Sequence, residues 1–502
     1  MMIQRLALVL LLAGSLHAAD FQNGQAARAV IGQPSFSARD AGPAAVALTY
    51  LKGRLYAADA SDRVFTYDVT KVLAASDGAN AQPAACGVCG FPAIGTTNQS
   101  VMPGIARVAA SDNTVVIADP PRHRVMIWLD ATSPRGAQGP DVVLGNGSAS
   151  PVSARSLVDP VSVAFDGKRL FVGDAALHRV LVWNSLPSED NQPADAVLGQ
   201  PGFTSATLSD SPGPDTIRTP AALASDGTNL FVADPSDHRI LVFTPGDFPL
   251  HGAAVINSAS LAPGPLAPGT LISIKTNGSA GPLETREQGT GQPLSRKLGG
   301  VQLLFNGAAL PLLSISSERI EAQLPYDTGA QTSASVYIRT ERDGATAVSN
   351  AIGIKLIAAS PGLYAFGGTE PRTGLMLHAA IADSGLPGSP VTADDPAKPG
   401  EELTLWATGL GMIDDLDADP KLIAGVPFSG PAARVLSRVS AAVNGQPVEV
   451  RSALLTPGAV GVYEVHVILP GDFRPDPHAE LVISQNGYTS NTVRFPIGAR
   501  KP

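Results

Sequence analysis

Pro160-Val-Ser-Val-Ala-Phe165, Asp166-Gly167, Leu170-Phe-Val-Gly-Asp174 and His178-Arg179-Val-Leu-Val-Trp183 decide how this chain folds. Three apolar runs, each too short for a stable helix and rich in Val, Leu and aromatic residues, are separated by turn residues. That is the pattern of consecutive strands. Asp-Gly between apolar runs is a strong hairpin signal, because both residues tolerate positive φ. The same layout occurs three more times. The opening strands are Pro43-Ala-Ala-Val-Ala-Leu48, Pro103-Gly-Ile-Ala-Arg-Val108 and Pro220-Ala-Ala-Leu-Ala-Ser225. The turns are Lys52-Gly53, Asp112-Asn113 and Asp226-Gly227. Second strands end at Asp59, Asp119 and Asp234, and third strands start at Arg63, Arg124 and Arg239.

The repeat aspartates fall 60, 55 and 60 positions apart. Short strands recurring at such an interval imply the blades of a β-propeller. A fourth strand is visible in Val143-Leu-Gly145 and in Ala196-Val-Leu-Gly-Gln-Pro201, and in degenerate form near Ala93-Ile-Gly95. The last repeat has none, yet Ala29-Val-Ile-Gly-Gln-Pro34 stands ahead of the first and matches Ala196 to Pro201. The expectation is a four-bladed ring, closed by the N-terminal strand completing the last blade. Closure removes exposed sheet edges.

Asp119…His123-Arg124, Asp174…His178-Arg179 and Asp234…His238-Arg239 resemble NHL repeats. The first repeat departs from the pattern, with Asp62 where the others have His. NHL proteins usually carry more and shorter blades, so four is the count read from this sequence. The resemblance also raises a metal-dependent lyase in the central channel, as in some NHL-like propellers. A residue repeated in every blade is needed by the blade, so Asp59, Arg63, Asp119, Arg124, Asp174, Arg179, Asp234 and Arg239 are read as structural pairs,. No non-repeated His, Asp or Glu set stands out.

From Ala253 a second layout appears twice. Pro268-Gly269, Asn306-Gly307, Ile320 to Pro325 and Ser349-Asn350 match Pro399-Gly400, Asn444-Gly445, Tyr463 to Pro470 and Ser490-Asn491. The offsets are 131, 138, 145 and 141, so the copies differ by loop insertions. About seven short strands per copy suit a β-sandwich. With Val255-Ile-Asn-Ser-Ala-Ser260, Pro361-Gly-Leu-Tyr364 and Ala407-Thr-Gly-Leu-Gly411, these residues resemble a C-terminal module common in secreted proteins of soil acidobacteria. That resemblance implies tandem Ig-like domains and brings no catalytic residues. The chain is therefore expected to be all-β: a signal peptide over 1–19, an NHL-like propeller over 20–250, and Ig-like sandwiches over 251–358 and 359–502. A boundary near Phe248 to Gly252 is expected to separate halves that each fold alone.

The leader reading rests on Arg5, the aliphatic run Leu6 to Leu12 and the small residues around Ala18 and Ala19,. Export makes a local disulfide between Cys86 and Cys89 the expected state,. A redox motif would need a helix N-terminus to acidify the thiol, and the Pro, Ala and Gly flanks suit a loop. Asp415, Asp417 and Asp419 open a calcium-loop pattern, but Pro420 stands where an EF-hand has Gly and Val426 where it has Glu,. Net charge −9 argues against nucleic acid, which needs a basic face,. No later stretch is long and apolar enough to span a membrane. The expected function is a secreted or cell-surface binding or scaffold protein with no cofactor. The propeller would meet an extracellular protein or glycan, and the sandwiches would act as spacer or attachment. A structural role in an envelope assembly shades into this reading. The alternative is a propeller enzyme, a lyase or lactonase-like hydrolase with a channel metal.

Overall fold

The computed structural model of the chain describes residues 20–42, 44–59, 64–76, 107–133, 139–145, 151–250, 254–276, 286–342, 344–378, 388–414 and 422–499. The leader residues, Cys86, Cys89, Arg63, Asp415, Asp417 and Asp419 lie outside them. Among the described residues the fold is all-β, built from sheets that are antiparallel except where Arg372–Thr373 runs parallel to Val493–Ile497, with one short α-helix, Val69–Ser76.

Four sheets form the N-terminal half. The first holds Ala45–Leu51, Arg54–Asp59 and Val64–Asp68. The second holds Val108–Ser111, Thr114–Asp119, Arg124–Trp128 and Val142–Leu144. The third holds Pro160–Phe165, Leu170–Asp174, Arg179–Trp183 and Ala196–Leu198. The fourth takes three strands from its own repeat, Ala222–Ser225, Leu230–Asp234 and Arg239–Phe243, and its outer strand from the N-terminus, Ala29–Ile31. Ala29 stands opposite Val242 and Ile31 opposite Ile240. The borrowed strand reproduces the third sheet in detail. Gly32 and Gly199 both turn through positive φ, at 89° and 84°. The Gln33 amide donates to His238 O, and the Gln200 amide to His178 O.

The Asp-Gly and Asn-Gly hairpins differ, and Lys52-Gly53 of the first sheet goes with the Asn-Gly pairs, with positive φ at both residues. In the third and fourth sheets only the glycine of Asp-Gly is left-handed. The aspartate instead accepts bonds from backbone N–H groups beyond it: Asp166 from Lys168 and Arg169, and Asp226 from Thr228 and Asn229. These are Asx turns. In the C-terminal half Asn306-Gly307 and Asn444-Gly445 take positive φ at both residues, as a type I′ hairpin requires,.

The opening strands of the four sheets lie side by side in the spatial order first, fourth, third, second. Separate apolar cores fill the three interfaces between them. The third and fourth sheets are covered on both faces, and their second and third strands are buried at every residue. Strands of the first and second sheets alternate between buried and half-buried positions, because one face packs on a neighbouring sheet and the other does not to the same depth,.

The C-terminal half begins with two sheets packed face to face. One is built around Leu271–Lys275 and Arg319–Gln323, the other around Val301–Phe305, Ser333–Arg342 and Ile352–Lys355. Alternate residues of both, among them Ile272, Ile274, Leu303 and Val336, share one core. The remaining strands form an eleven-stranded sheet that curls on itself. Leu403 and Val465 from one end of it meet Leu481 and Phe495 from the other in a common core.

The duplicated signals occupy matching places. Ser349 Oγ accepts from Ile338 N–H, and Asn350 bonds both backbone groups of Leu250. Ser490 Oγ accepts from Ile483 N–H, and Asn491 bonds both backbone groups of Leu363. Asn306 accepts from Ser335 N–H, and Asn444 from Glu480 N–H. In each copy the Ser-Asn pair just ahead of the last strand ties down the segment on which that copy begins.

The two halves are closely joined. Asp247 N–H donates to Val348 O and Ala26 N–H to Ala351 O. Arg28 donates to Ser349 O and its guanidinium lies 5.2 Å from the Tyr337 ring centroid. Ser335 Oγ donates to Ala27 O. A side chain on Gly246 would meet Asn350 N at 1.9 Å, so the backbones touch there and no larger residue fits.

Candidate functional site

In the third and fourth sheets the repeated Asp and Arg residues serve the loop that leads into the sheet. Asp174 accepts from Val158 and Asp159 N–H groups, and Asp234 from Arg218 and Thr219. Burial pushes the Asp174 carboxyl up, while those two N–H donors and the Arg179 charge draw it down. Arg239 joins Asp234 directly, at 3.1 Å, with both side chains fully buried. Arg179 makes no such bond. It spends its guanidinium on the carbonyls of Ser153, Ser156 and Phe203, and its Nε is without a partner. Arg124 reaches Asp119 at 2.9 Å in a partly exposed pair. Asp59 is buried, and its repeat partner Arg63 is outside the described residues.

Two of the three repeated histidines link neighbouring sheets, and the Nδ1 of the third, His238, has no partner. All three sit in the left-handed region, with φ from 52° to 54°. His123 of the second sheet bonds Val158 O, which leads into the third sheet. His178 of the third bonds Arg218 O, which leads into the fourth. Among the described residues no His, Cys, Asp or Glu cluster has the makings of a metal site.

A cavity of 570 Å³ opens where the N-terminal half meets the first C-terminal unit. Asn23 and Gly24 come from the segment ahead of the borrowed strand. Gln200, Ser205, Thr207 and Ser209 follow the third sheet, Asp215 and Thr216 precede the fourth, and Gly353 and Lys355 come from the C-terminal strand Ile352–Lys355. That strand turns Ile352 and Ile354 into its own core, which leaves Gly353 and Lys355 on the opposite, cavity-facing side,.

Asp215 is the residue on which this wall turns. Its loop is clamped from inside the fourth sheet: Arg239 donates to Gly213 O and to Thr216 O, on either side of it. Thr216 Oγ1 accepts from Gly213 N–H and closes the turn. Ala27 N–H donates to Pro214 O and ties the loop to the N-terminal segment. The Asp215 side chain then lies over Gly353, where a Cβ would come within 2.6 Å of its carboxyl carbon. Burial pushes this carboxyl up. Its own N–H and the charges of Lys355 and Arg239 pull the other way, without reversing the shift.

The repeat scaffolding makes this acid visible after the fact. Arg179 holds Ser153 O and Ser156 O as Arg239 holds Gly213 O and Thr216 O, and Ser156 Oγ accepts from Ser153 N–H as Thr216 does from Gly213. Sixty positions before Asp215 stands Arg155. A carboxylate at one copy of a repeated loop and a guanidinium at the other is the signal that sequence reasoning passed over.

What fold and site together define is a mostly-β, multi-sheet protein with no family assignment. No family model matches the chain, and no curated protein is similar to it. Among solved structures it is similar to the computationally designed Ika4 protein, at 15% identity and a TM-score of 0.17, over 43% of this chain and 99% of that one.

Proposed function

We propose that this is a secreted or cell-surface binding protein without catalytic machinery. In this reading the four N-terminal sheets are NHL-like propeller blades, the last of them completed by the borrowed strand. The two C-terminal units are Ig-like sandwiches, which hold the binding half at a distance from its attachment. The observation that carries the proposal is the junction cavity. It gathers polar side chains from the N-terminal segment, from the long loop between the third and fourth blades and from the first sandwich. A concave site with few, convergent polar groups at a domain interface is the usual setting for ligand recognition. The leader pattern supports export, and none of the helices among the described residues is long and apolar enough to cross a membrane.

The test is a thermal-shift screen of the mature chain against extracellular glycans, peptides and envelope proteins. The expected result is a saturable rise in melting temperature that is lost in Ser209→Trp, which fills the cavity. Turnover of an ester, lactone or glycoside, abolished by a chelator, would overturn this reading in favour of a channel-metal enzyme.

A further inference from the structure

We infer that the junction cavity takes a small zwitterion of dipeptide length, with its ammonium on Asp215 and its carboxylate towards Lys355. The inference rests on the reading of that cavity as the binding site and names the class of ligand it would hold.

Two opposite charges line one cavity and are not spent on each other. Lys355 acts on Asp215 through its charge, yet the two form no ion pair within 4.0 Å among the described residues. Among the described residues no other side chain donates a hydrogen bond to the Asp215 carboxyl, which its own N–H favours. Its neighbour in charge, Arg239, is committed to Asp234, to the backbone carbonyls of Phe36, Gly213 and Thr216, and to the carboxylate of the turn acid Asp237. Lys355 is exposed at the end of its strand. A half-buried carboxylate without a partner loses solvation that nothing replaces, and an incoming ammonium supplies the charge-assisted bonds that it lacks,.

Spacing sets the length. Asp215 lies over Gly353, and Lys355 stands two residues further along the same face of the strand. Two residues of extended strand cover about 7 Å, and a dipeptide in the same conformation spans about the same distance. Between the charged ends the wall offers polar groups suited to an amide. Asn23 has its Oδ1 engaged by Val197 N–H, which leaves its Nδ2 to donate. The Ser205 and Thr207 hydroxyls can accept, Ser205 while it donates to Gln200. A neutral sugar would use the hydroxyls and leave both charges unanswered.

Isothermal titration of the full mature chain compares alanyl-alanine with its N-acetylated and its amidated forms. The free dipeptide is expected to bind saturably, and each blocked form to bind at least about tenfold more weakly. Asp215→Asn and Lys355→Met should each cost the free dipeptide a similar factor, and Asp215→Asn should erase the preference over the acetylated form. Gly353→Ala leaves every charge in place but drives the Asp215 carboxyl from its seat, and should weaken binding too. Equal affinity for free and blocked peptides, or no saturable binding of alanyl-alanine at millimolar concentration, overturns the inference. Binding of maltotriose in its place, lost in Ser209→Trp, overturns the zwitterion while leaving the binding reading intact.

Discussion

The loops 153–156 and 213–216 are built alike and used differently. Both are turned by a hydroxyl that accepts from the first residue's N–H, and both are gripped by the buried arginine of the sheet they lead into. One presents Arg155, whose Nε donates to Asn191 O on an exposed surface. The other presents Asp215 to a cavity wall. Recurring residues hold the loop, and the residue that fails to recur meets what lies outside. In a repeat protein the scaffold is thus found by similarity and the site by its breaks.

The largest effect should come from removing what supports the second loop altogether. Deleting residues 20–36 takes away the outer strand of the fourth sheet, the Ala27 bond to Pro214 and the Arg28 contacts with the C-terminal half. The loss should be on the order of a whole domain's stability, about 5–15 kcal/mol, read as a vanished cooperative transition in thermal melts. A chain that still melts cooperatively near the parent temperature would refute the closing role of that strand.

Arg239→Ala comes next. It leaves Asp234 buried without its ion pair and frees both ends of the Asp215 loop, so about 3–5 kcal/mol should be lost in denaturant titration,. Arg179→Ala breaks three backbone bonds and no direct ion pair, so its cost should be smaller, about 1–3 kcal/mol,. Equal losses would mean that the Asp234 pair adds nothing to what the loop bonds provide.

Asp215→Asn should act in the opposite direction. A carboxyl whose folded pKa is raised binds a proton more tightly in the folded chain, so stability falls as pH rises from the ordinary carboxylate range through the folded value,. Removing the acid should raise the melting temperature at neutral pH and leave it nearly unchanged at about pH 3, where both states are protonated. A lower midpoint at neutral pH would show that Asp215 supports the loop and is not held there against a cost. The matched change Arg155→Ala should be the mildest, within about 0.5 kcal/mol, as expected for an exposed side chain.

Much of this arrangement could be read from the chain. The Asp…His-Arg rhythm placed the strands, and the orphan Ala29 to Pro34 segment pointed to the partner it has, Arg239–Phe243. Asn306-Gly307 and Asn444-Gly445 announced the hairpins they form. The same logic overreached at Asp166-Gly167, where the aspartate side chain caps a longer turn and only the glycine is left-handed. It also could not say that Asp174 and Arg179 would turn away from each other towards backbone groups, since several carbonyls and N–H donors compete for them. The cavity was hidden for a different reason. Asn23, the loop that holds Gln200 and Asp215, and Gly353 stand far apart in the sequence, and their residues are ordinary loop or strand residues one by one. Only the seam between the two halves, drawn together by Ala26, Arg28 and Asp247, makes them neighbours. The cysteine and calcium-loop readings fall on residues outside the described ones.

The Ser-Asn ties also set a timetable. Leu250 waits for Asn350, 100 residues behind it, and Leu363 waits for Asn491, 128 residues behind. The borrowed strand waits longer still, since Val30 faces Leu241. A chain emerging from the ribosome at about 5–20 residues per second therefore spends several seconds with each unit begun but unfastened. Its first strand is made first and seated late, and each unit is locked only when its final strand has arrived.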